Sequence, residues 1–329
     1  MSGGADSAYR DDWPPSASLE ALRLRARLSA AIRGFFAERR VLEVETPALG
    51  SSGASDVHIA SLITHCRTGA DRRRYYLQTS PEFAMKRLLA AGSGAIYQMC
   101  RAFRDGESGR LHNPEFTLLE WYRPGYDHHA LMDELDQLMD RLLGPAAASR
   151  RLTYGDAFRL HAGIDPFAAS TAAMLSAARR AGLHVAGDGL PDRDMLLDFL
   201  FTHAVQPRLG DGRAYVYDYP ASQAALARVR PGSPPVAERF ELFLNGIEIA
   251  NGYHELADAA EQRRRFAADA RARAALGLEA MPVDERLLAA LAHGLPDCAG
   301  VAVGLDRLFM VAAGERSIEA VMAFPLTRA

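Results

Sequence analysis

The sequence predicts an α+β fold, a single antiparallel β-sheet flanked by helices, and three observations carry that expectation. Strand-like runs follow one another instead of alternating singly with helices, as βαβ units would. A helical block over about residues 128–210 interrupts them once. No internal repeat and no linker divides the 329 residues, a length one large mixed domain can fill.

The elements follow in order. Residues 1–12 are polar and predict a disordered tail, leaving residues 13–329 for the domain. Over 18–40, Leu24, Leu28, Ile32 and Phe36 recur every four positions, the spacing of an amphipathic helix. "VLEVETP" reads as a short strand stopped by Pro47. "RYYLQTSPEFAMKRLL" reads as strand, Ser-Pro turn and helix, with Pro81 suited to the first helical turn. "AIYQMCRAFRD" and "PEFTLLEWY" are β-rich runs joined by the polar loop "DGESGRLHN". After the helical block, "AYVYDYP" is a further strand. "FELFLNGIEIANGYHEL" is then a hairpin turning at Asn245-Gly246. A helical stretch runs on to about residue 295, and "GVAVGLDRLFMVAAG" closes the chain as strand, glycine turn and helix.

Composition bounds the function. The chain is 49% hydrophobic and 24% charged with a net charge of −3, so no basic excess points to stable nucleic-acid binding. Lys86 is its only lysine, and the clusters Arg72-Arg73-Arg74 and Arg263-Arg264-Arg265 read as solvated faces. Cys66, Cys100 and Cys298 are odd in number and far apart, which suits a reducing compartment and argues against a zinc knuckle. With no 18-residue apolar run and no signal peptide, a soluble cytoplasmic protein without membrane contact is expected.

The hairpin raises the chemical question, because its strands carry Glu241, Glu248 and Glu255 beside Asn251 and His254. A two-residue turn pairs Leu244 with Ile247 and Phe243 with Glu248, which places Glu241 diagonal to Glu248 on one face. Two carboxylates roughly 6 Å apart repel by about 2–3 kcal/mol at an effective dielectric of about 20. Mg²⁺ would remove that cost and bring substrate phosphates; the alternative is an edge hairpin with both acids in water. In "FTLLEWY", Leu118, Glu120 and Tyr122 point one way, and a glutamate with a tyrosine on one face can hold an ammonium group. Glu82 either joins them or only complements the helix dipole. Arg101 and Arg104 face opposite sides of their strand, so one can reach an anion while the other is structural. Arg307 sits where a strand turns into a helix, a natural place for phosphate.

Together these stretches resemble the class II aminoacyl-tRNA synthetases: "VLEVETP" is similar to motif 1, "FRDGESGRLHNPEFTLLEWY" to motif 2 and "GVAVGLDRL" to motif 3. With "TSPE" and "GIEIANGYHEL" the resemblance is to the lysyl-tRNA synthetase branch, and with "NPEFTLLEWYRPGYD" to its stand-alone paralogues. It covers the chain from about Trp13 onward and implies a synthetase-like catalytic domain over 13–329. It also implies a homodimer built on motif 1, with ATP and Mg²⁺ as cofactors. The donor implied is (R)-β-lysine, activated as an aminoacyl-adenylate, and the protein acceptor is elongation factor P.

The resemblance further assigns roles. Arg104 and Arg307 would be catalytic, the first on the α-phosphate and the second at the γ-phosphate end. Asp105, Gly106, Asn113, Phe116, Glu248, Ile249 and Gly304 would complete the ATP site, with Glu241 and Glu248 holding the metal. Ser80, Pro81, Glu82, Glu120, Tyr122, Asn251, Glu255 and Ala302 would surround the amino acid. The family's usual Phe-Arg-Asn-Glu is here Phe103-Arg104-Asp105-Gly106-Glu107, so Asp105 or Glu107 replaces the acid expected at 106, or the adenine contact is lost. Ala302 stands where lysyl-tRNA synthetases carry glycine, consistent with a β-amino acid. Motif 1 arrives by residue 47 and leaves no room for an anticodon-reading OB fold. The alternatives are a truncated synthetase charging tRNA and an inactive regulatory paralogue.

Overall fold

Ser18 starts the first helix, its hydroxyl accepting the Ala21 amide at 3.1 Å as an N-cap. In this computed structural model, which describes residues 13–69, 71–184 and 191–329, that helix is α1 (Leu19–Glu38). The tail expected over 1–12 lies outside the described residues. Leu28, Ile32 and Phe36 bury the expected stripe of α1, with Leu24 half-buried at its edge.

Strands β1 (Leu42–Glu43) and β2 (Leu49–Gly50) precede the pair β3 (Ile63–Thr68) and β4 (Asp71–Leu77). Helix α2 (Glu82–Ala90) leads to β5 (Ile96–Phe103), β6 (Glu115–Pro124) and α3 (His128–Leu143). Then come β7 (Arg150–Thr153), α4 (Tyr154–His161), α5 (Thr171–Arg180), α6 (Arg193–Leu200), β8 (Arg213–Pro220) and β9 (Val229–Arg230). The hairpin β10 (Val236–Leu244) and β11 (Ile247–His254) is followed by α7 (Ala259–Ala275) and α8 (Glu285–Gly294). Strand β12 (Cys298–Gly304) and α9 (Leu305–Ala312) come last.

The main sheet runs β1-β5-β6-β12-β11-β10-β8-β7, with β9 beside β10, and β2-β4-β3 form a smaller sheet. Its central pairs are antiparallel, while β1 and β7 join the two edges in parallel. The helical block therefore needs correction at one point: it contains the strand β7, whose "RRLT" has no apolar alternation to betray it. Part of that block, 185–190, lies outside the described residues. Helix α3 packs with α1 and α9 against one sheet face, whereas α4, α5 and α6 build a second core with β8 and Phe243. Helices α2, α7 and α8 enclose a third.

Asp306 locks the centre. Buried at the start of α9, it accepts Arg25 Nη1 of α1 at 2.5 Å and the Thr117 amide of β6 at 2.6 Å. One carboxylate thus ties together the helix before motif 1, the strand of motif 2 and the helix of motif 3. In the hairpin, Leu244 pairs with Ile247 and Phe243 with Glu248 as the turn requires. A bulge at Ile249 then shifts the register, so Glu241 stands opposite Asn251.

Candidate active site

Strands β6, β12 and β11 form the floor of a cleft of about 1520 Å³, larger than a pocket for one small ligand. Alternation decides what faces it. Leu118, Glu120 and Tyr122 of β6 line the cleft, while Leu119 and Trp121 enter the core behind. Asn251, Tyr253 and Glu255 line it from the next strand but one, and Ala302 lies between, paired with both Asn251 and Glu120. Gly300 makes room: a Cβ there would stand 2.3 Å from Tyr122 Cε1 and 2.5 Å from Glu255 Oε1.

At this end the charges are dry. Glu120 and Glu255 are each 2% exposed, and Lys86 is 1% exposed. Lys86 Nζ lies 2.6 Å from Glu82 Oε1 and 2.6 Å from Glu255 Oε2. Glu120 accepts Ser80 Oγ at 2.7 Å and Tyr122 Oη at 2.6 Å. Burial, reinforced by the charge of Glu82, pushes the Glu120 carboxyl up to about 7. Burial pushes Glu255 up to about 8 against the pull of Lys86. Burial opposes the charge on Lys86, but Glu255 and Glu82 outweigh it and raise its pKa. Once ionised, three carboxylates around one ammonium leave an excess of negative charge, and a cationic ligand would favour that ionisation. Glu82 is the first residue of α2, but its side chain turns into this cluster instead of serving only the helix dipole.

The other end is wetter and positive. Arg104 lines the cleft above the Phe116 ring, 4–6 Å being usual for such a cation–π contact and 5.1 Å the distance here. Its Nε is buried without a hydrogen-bond partner among the described residues, and its Nη1 stands 3.6 Å from Glu107 Oε1. Arg101 points away, donating to Thr117 Oγ1 at 3.2 Å, as the three-residue spacing required. Arg307 is braced by the carbonyls of Leu111 at 3.2 Å and Glu248 at 3.0 Å, and touches His112 Nε2 at 2.6 Å. Ile249 and Gly304 line the wall beside it, and Ser80 and Pro81 the opposite one.

Several expected residues are placed differently. Glu107 lines the cleft, whereas Asp105 and Gly106 are not among its lining residues, Gly106 forming a turn at φ 77°. Asn113 reaches the wall, but its amide is spent within the chain, donating to Glu115 O at 2.6 Å and accepting the Leu326 amide at 3.0 Å. Glu248 faces the cleft half-exposed, 3.5 Å from Arg307 Nη1. Glu241 is buried behind it and accepts Arg239 Nη2 at 2.6 Å. Burial raises the Glu241 carboxyl, with Arg239 opposing and Glu248 adding to the rise, so the two acids do feel one another.

Sequence reading missed Lys86, Arg239, Tyr253 and Gly300. Tyr253 had a signal, since it shares a strand face with Asn251 and Glu255. Arg239 had a similar one, two residues from Glu241. Lys86 offered only its being the sole lysine, and Gly300 offered none.

Residues 12–328 match the family tRNA synthetases class II (D, K and N). The chain is 51% identical over 321 residues to a protein of Vibrio cholerae serotype O1 named elongation factor P–(R)-beta-lysine ligase, covering 97% of this chain and 99% of that one. A protein of the same name from Yersinia enterocolitica is 50% identical over 320 residues, covering 96% and 98%. One from Edwardsiella ictaluri is 49% identical over 320 residues, with the same coverage.

Proposed function

This chain belongs to the class II tRNA synthetases (D, K and N), and on that premise we propose that it is an ATP-dependent ligase that joins (R)-β-lysine to elongation factor P. The observation that carries the reading is the excess of buried carboxylate around Lys86, a complement for a diamino acid, in one cleft with Arg104, whose Nε has no partner among the described residues. The relatives' shared name supports the donor and the acceptor.

In this reading ATP is substrate and lies toward Arg104 and Arg307. The amino acid's ammonium groups lie among Glu82, Glu120, Glu255 and Asn251, with Tyr122 and Ser80 orienting Glu120. The chain contributes no covalent nucleophile. It aligns the carboxylate of the amino acid with the α-phosphate, and Arg104 stabilises the charge that develops there as pyrophosphate departs and the aminoacyl-adenylate forms. The lysine amine of elongation factor P then attacks the acyl carbon and AMP leaves. The residues fit a magnesium ion at Glu248, which offers a half-exposed carboxylate, while the nearby Glu241 is paired with Arg239 at 2.6 Å. When bound, Mg²⁺ supplies charge neutralisation on the phosphates. Glu248→Gln is expected to depress pyrophosphate exchange while leaving the unfolding transition in place.

The protein works in the cytoplasm as a homodimer in this reading. The homodimer is supported by the motif 1 stretch, where Leu42 is 56% exposed; a solution mass near 35.8 kDa would overturn it. Among the described residues no helix is long and apolar enough to cross a membrane. Arg73, in the cleft lining and bonded to the exposed Asp71, offers charge for an acidic acceptor surface, whereas Arg74 is engaged by Glu279. The decisive experiment gives purified enzyme ATP, Mg²⁺ and (R)-β-lysine with either elongation factor P or lysine tRNA. Mass added to elongation factor P is the expected result. Charged tRNA with unmodified elongation factor P would favour a truncated synthetase, and neither product would favour an inactive paralogue.

A further inference from the structure

Behind β11, on the face turned away from the cleft, lies a second polar cluster that the proposed reaction does not use. His128 opens α3, Glu238 lies on β10 and His254 ends β11. All three are buried, and one ligand atom from each falls within 4.8 Å of the others. His254 Nδ1 is 2.7 Å from Glu238 Oε2, and its Nε2 is 3.0 Å from Asp297 Oδ1. His128 is 2% exposed, yet among the described residues neither ring nitrogen has a hydrogen-bond partner. Its nearest acid, Asp218 Oδ1, stands 3.5 Å from Nε2, beyond a normal hydrogen bond, and is itself buried and unpartnered.

Arg230 explains how the acids are oriented. It holds Glu238 Oε1 at 3.2 Å and Asp218 Oδ2 at 2.6 Å, so each carboxylate gives one oxygen to the guanidinium and turns the other toward the histidines. We propose that His128, His254 and Glu238 form a structural site for a zinc-type divalent cation, completed when Asp218 Oδ1, 3.5 Å from His128 Nε2 and outside that three-residue cluster, swings in as a fourth donor.

Two imidazoles and two carboxylates are a donor set that suits tetrahedral Zn²⁺, and a fully protein-ligated buried site is the structural kind. Asp297 on the far nitrogen of His254 is the outer carboxylate that orients a ligating histidine. The ion and Arg230 together offset the carboxylates, and the ion uses the atoms now left bare. The competing arrangement, a protonated His254 bridging Glu238 and Asp297, satisfies those two acids. It leaves His128 and Asp218 Oδ1 desolvated without a partner. The ion would pin the start of α3 to the end of β11, whose next residue is Glu255 in the cleft.

The test uses the untagged full-length chain, stripped with EDTA and titrated with Zn²⁺ and, in parallel, Co²⁺, in excess Mg²⁺ to mask the nucleotide site. Expected are one equivalent of tight binding, the intense visible bands of four-coordinate Co²⁺, and a rise of several degrees in unfolding temperature. His128→Leu and His254→Gln should each weaken binding by about a hundredfold or more, while His129→Gln does not. His128→Leu keeps the site filled by an apolar group, so its apo form is expected to unfold cooperatively, which separates lost binding from lost fold. No binding, six-coordinate Co²⁺, or stoichiometric binding unchanged in both variants would overturn the site and leave the protonated His254 bridge.

Discussion

The two ends of the cleft hold charge in opposite ways. Around Lys86 the titratable groups are buried and fixed by short contacts to one another; desolvation raises Glu120 and Glu255, while the carboxylates outweigh it and keep Lys86 charged. Around Arg104 and Arg307 the side chains are a quarter to a fifth exposed, Arg307 braced by carbonyls and Arg104 set over a ring with its Nε unpartnered among the described residues. The difference matches what each end would bind. A small diamino acid is selected by shape and charge count, so its pocket must be rigid and dry. A polyphosphate brings its own charge and metal, so its end can stay open until it arrives.

The sharpest way to break this comparison is Lys86→Met. It strands Glu82, Glu120 and Glu255 without their internal cation, and unpairing a buried charge costs about 3–5 kcal/mol. Urea unfolding should show that loss, and (R)-β-lysine should restore part of it; an unchanged midpoint would mean that Lys86 does not hold the cluster together. At the other end, Arg104→Ala should leave the midpoint nearly in place. Pyrophosphate exchange should drop by about 10²–10³-fold, the effect of removing a donor aimed at developing transition-state charge. Equal losses of stability in the two variants would erase the contrast.

Ala302→Gly probes shape in place of charge. One methyl group between Glu120 and Asn251 is worth about 1–3 kcal/mol of discrimination. Exchange rates with (R)-β-lysine and α-lysine side by side should shift toward α-lysine by about tenfold or more.

The smallest effect is on pH dependence. Glu120 and Glu255 are raised from 4.5 to about 7 and about 8, so the folded protein holds more protons than the unfolded chain across that interval. Their contribution therefore makes stability fall as pH rises from about 4.5 toward 8, and level off above it. A bound diammonium favours the ionised acids, so KM for the amino acid should decrease by on the order of tenfold between about pH 6 and 8. Glu120→Gln should flatten that profile. A KM independent of pH would show that the carboxylates are already ionised.

How much of this was legible depends on how far each signal reaches along the chain. The stripe of α1, the turn at Asn245-Gly246 and the alternation in β6 are interactions between residues a few positions apart. The sequence by itself therefore determined these elements and the shared face of Glu120 and Tyr122, and the spaced motifs identified the family. Only the tertiary structure decided that Lys86 lies between Glu82 and Glu255, that Arg239 occupies Glu241, that Asn113 is spent on Glu115 and Leu326, and that Asp306 joins α1 to β6. The bulge at Ile249 and the parallel pairing of β7 belong with these. Each depends on where a distant segment packs, and neither propensity nor periodicity encodes a contact between residues brought together only by burial of the shared core.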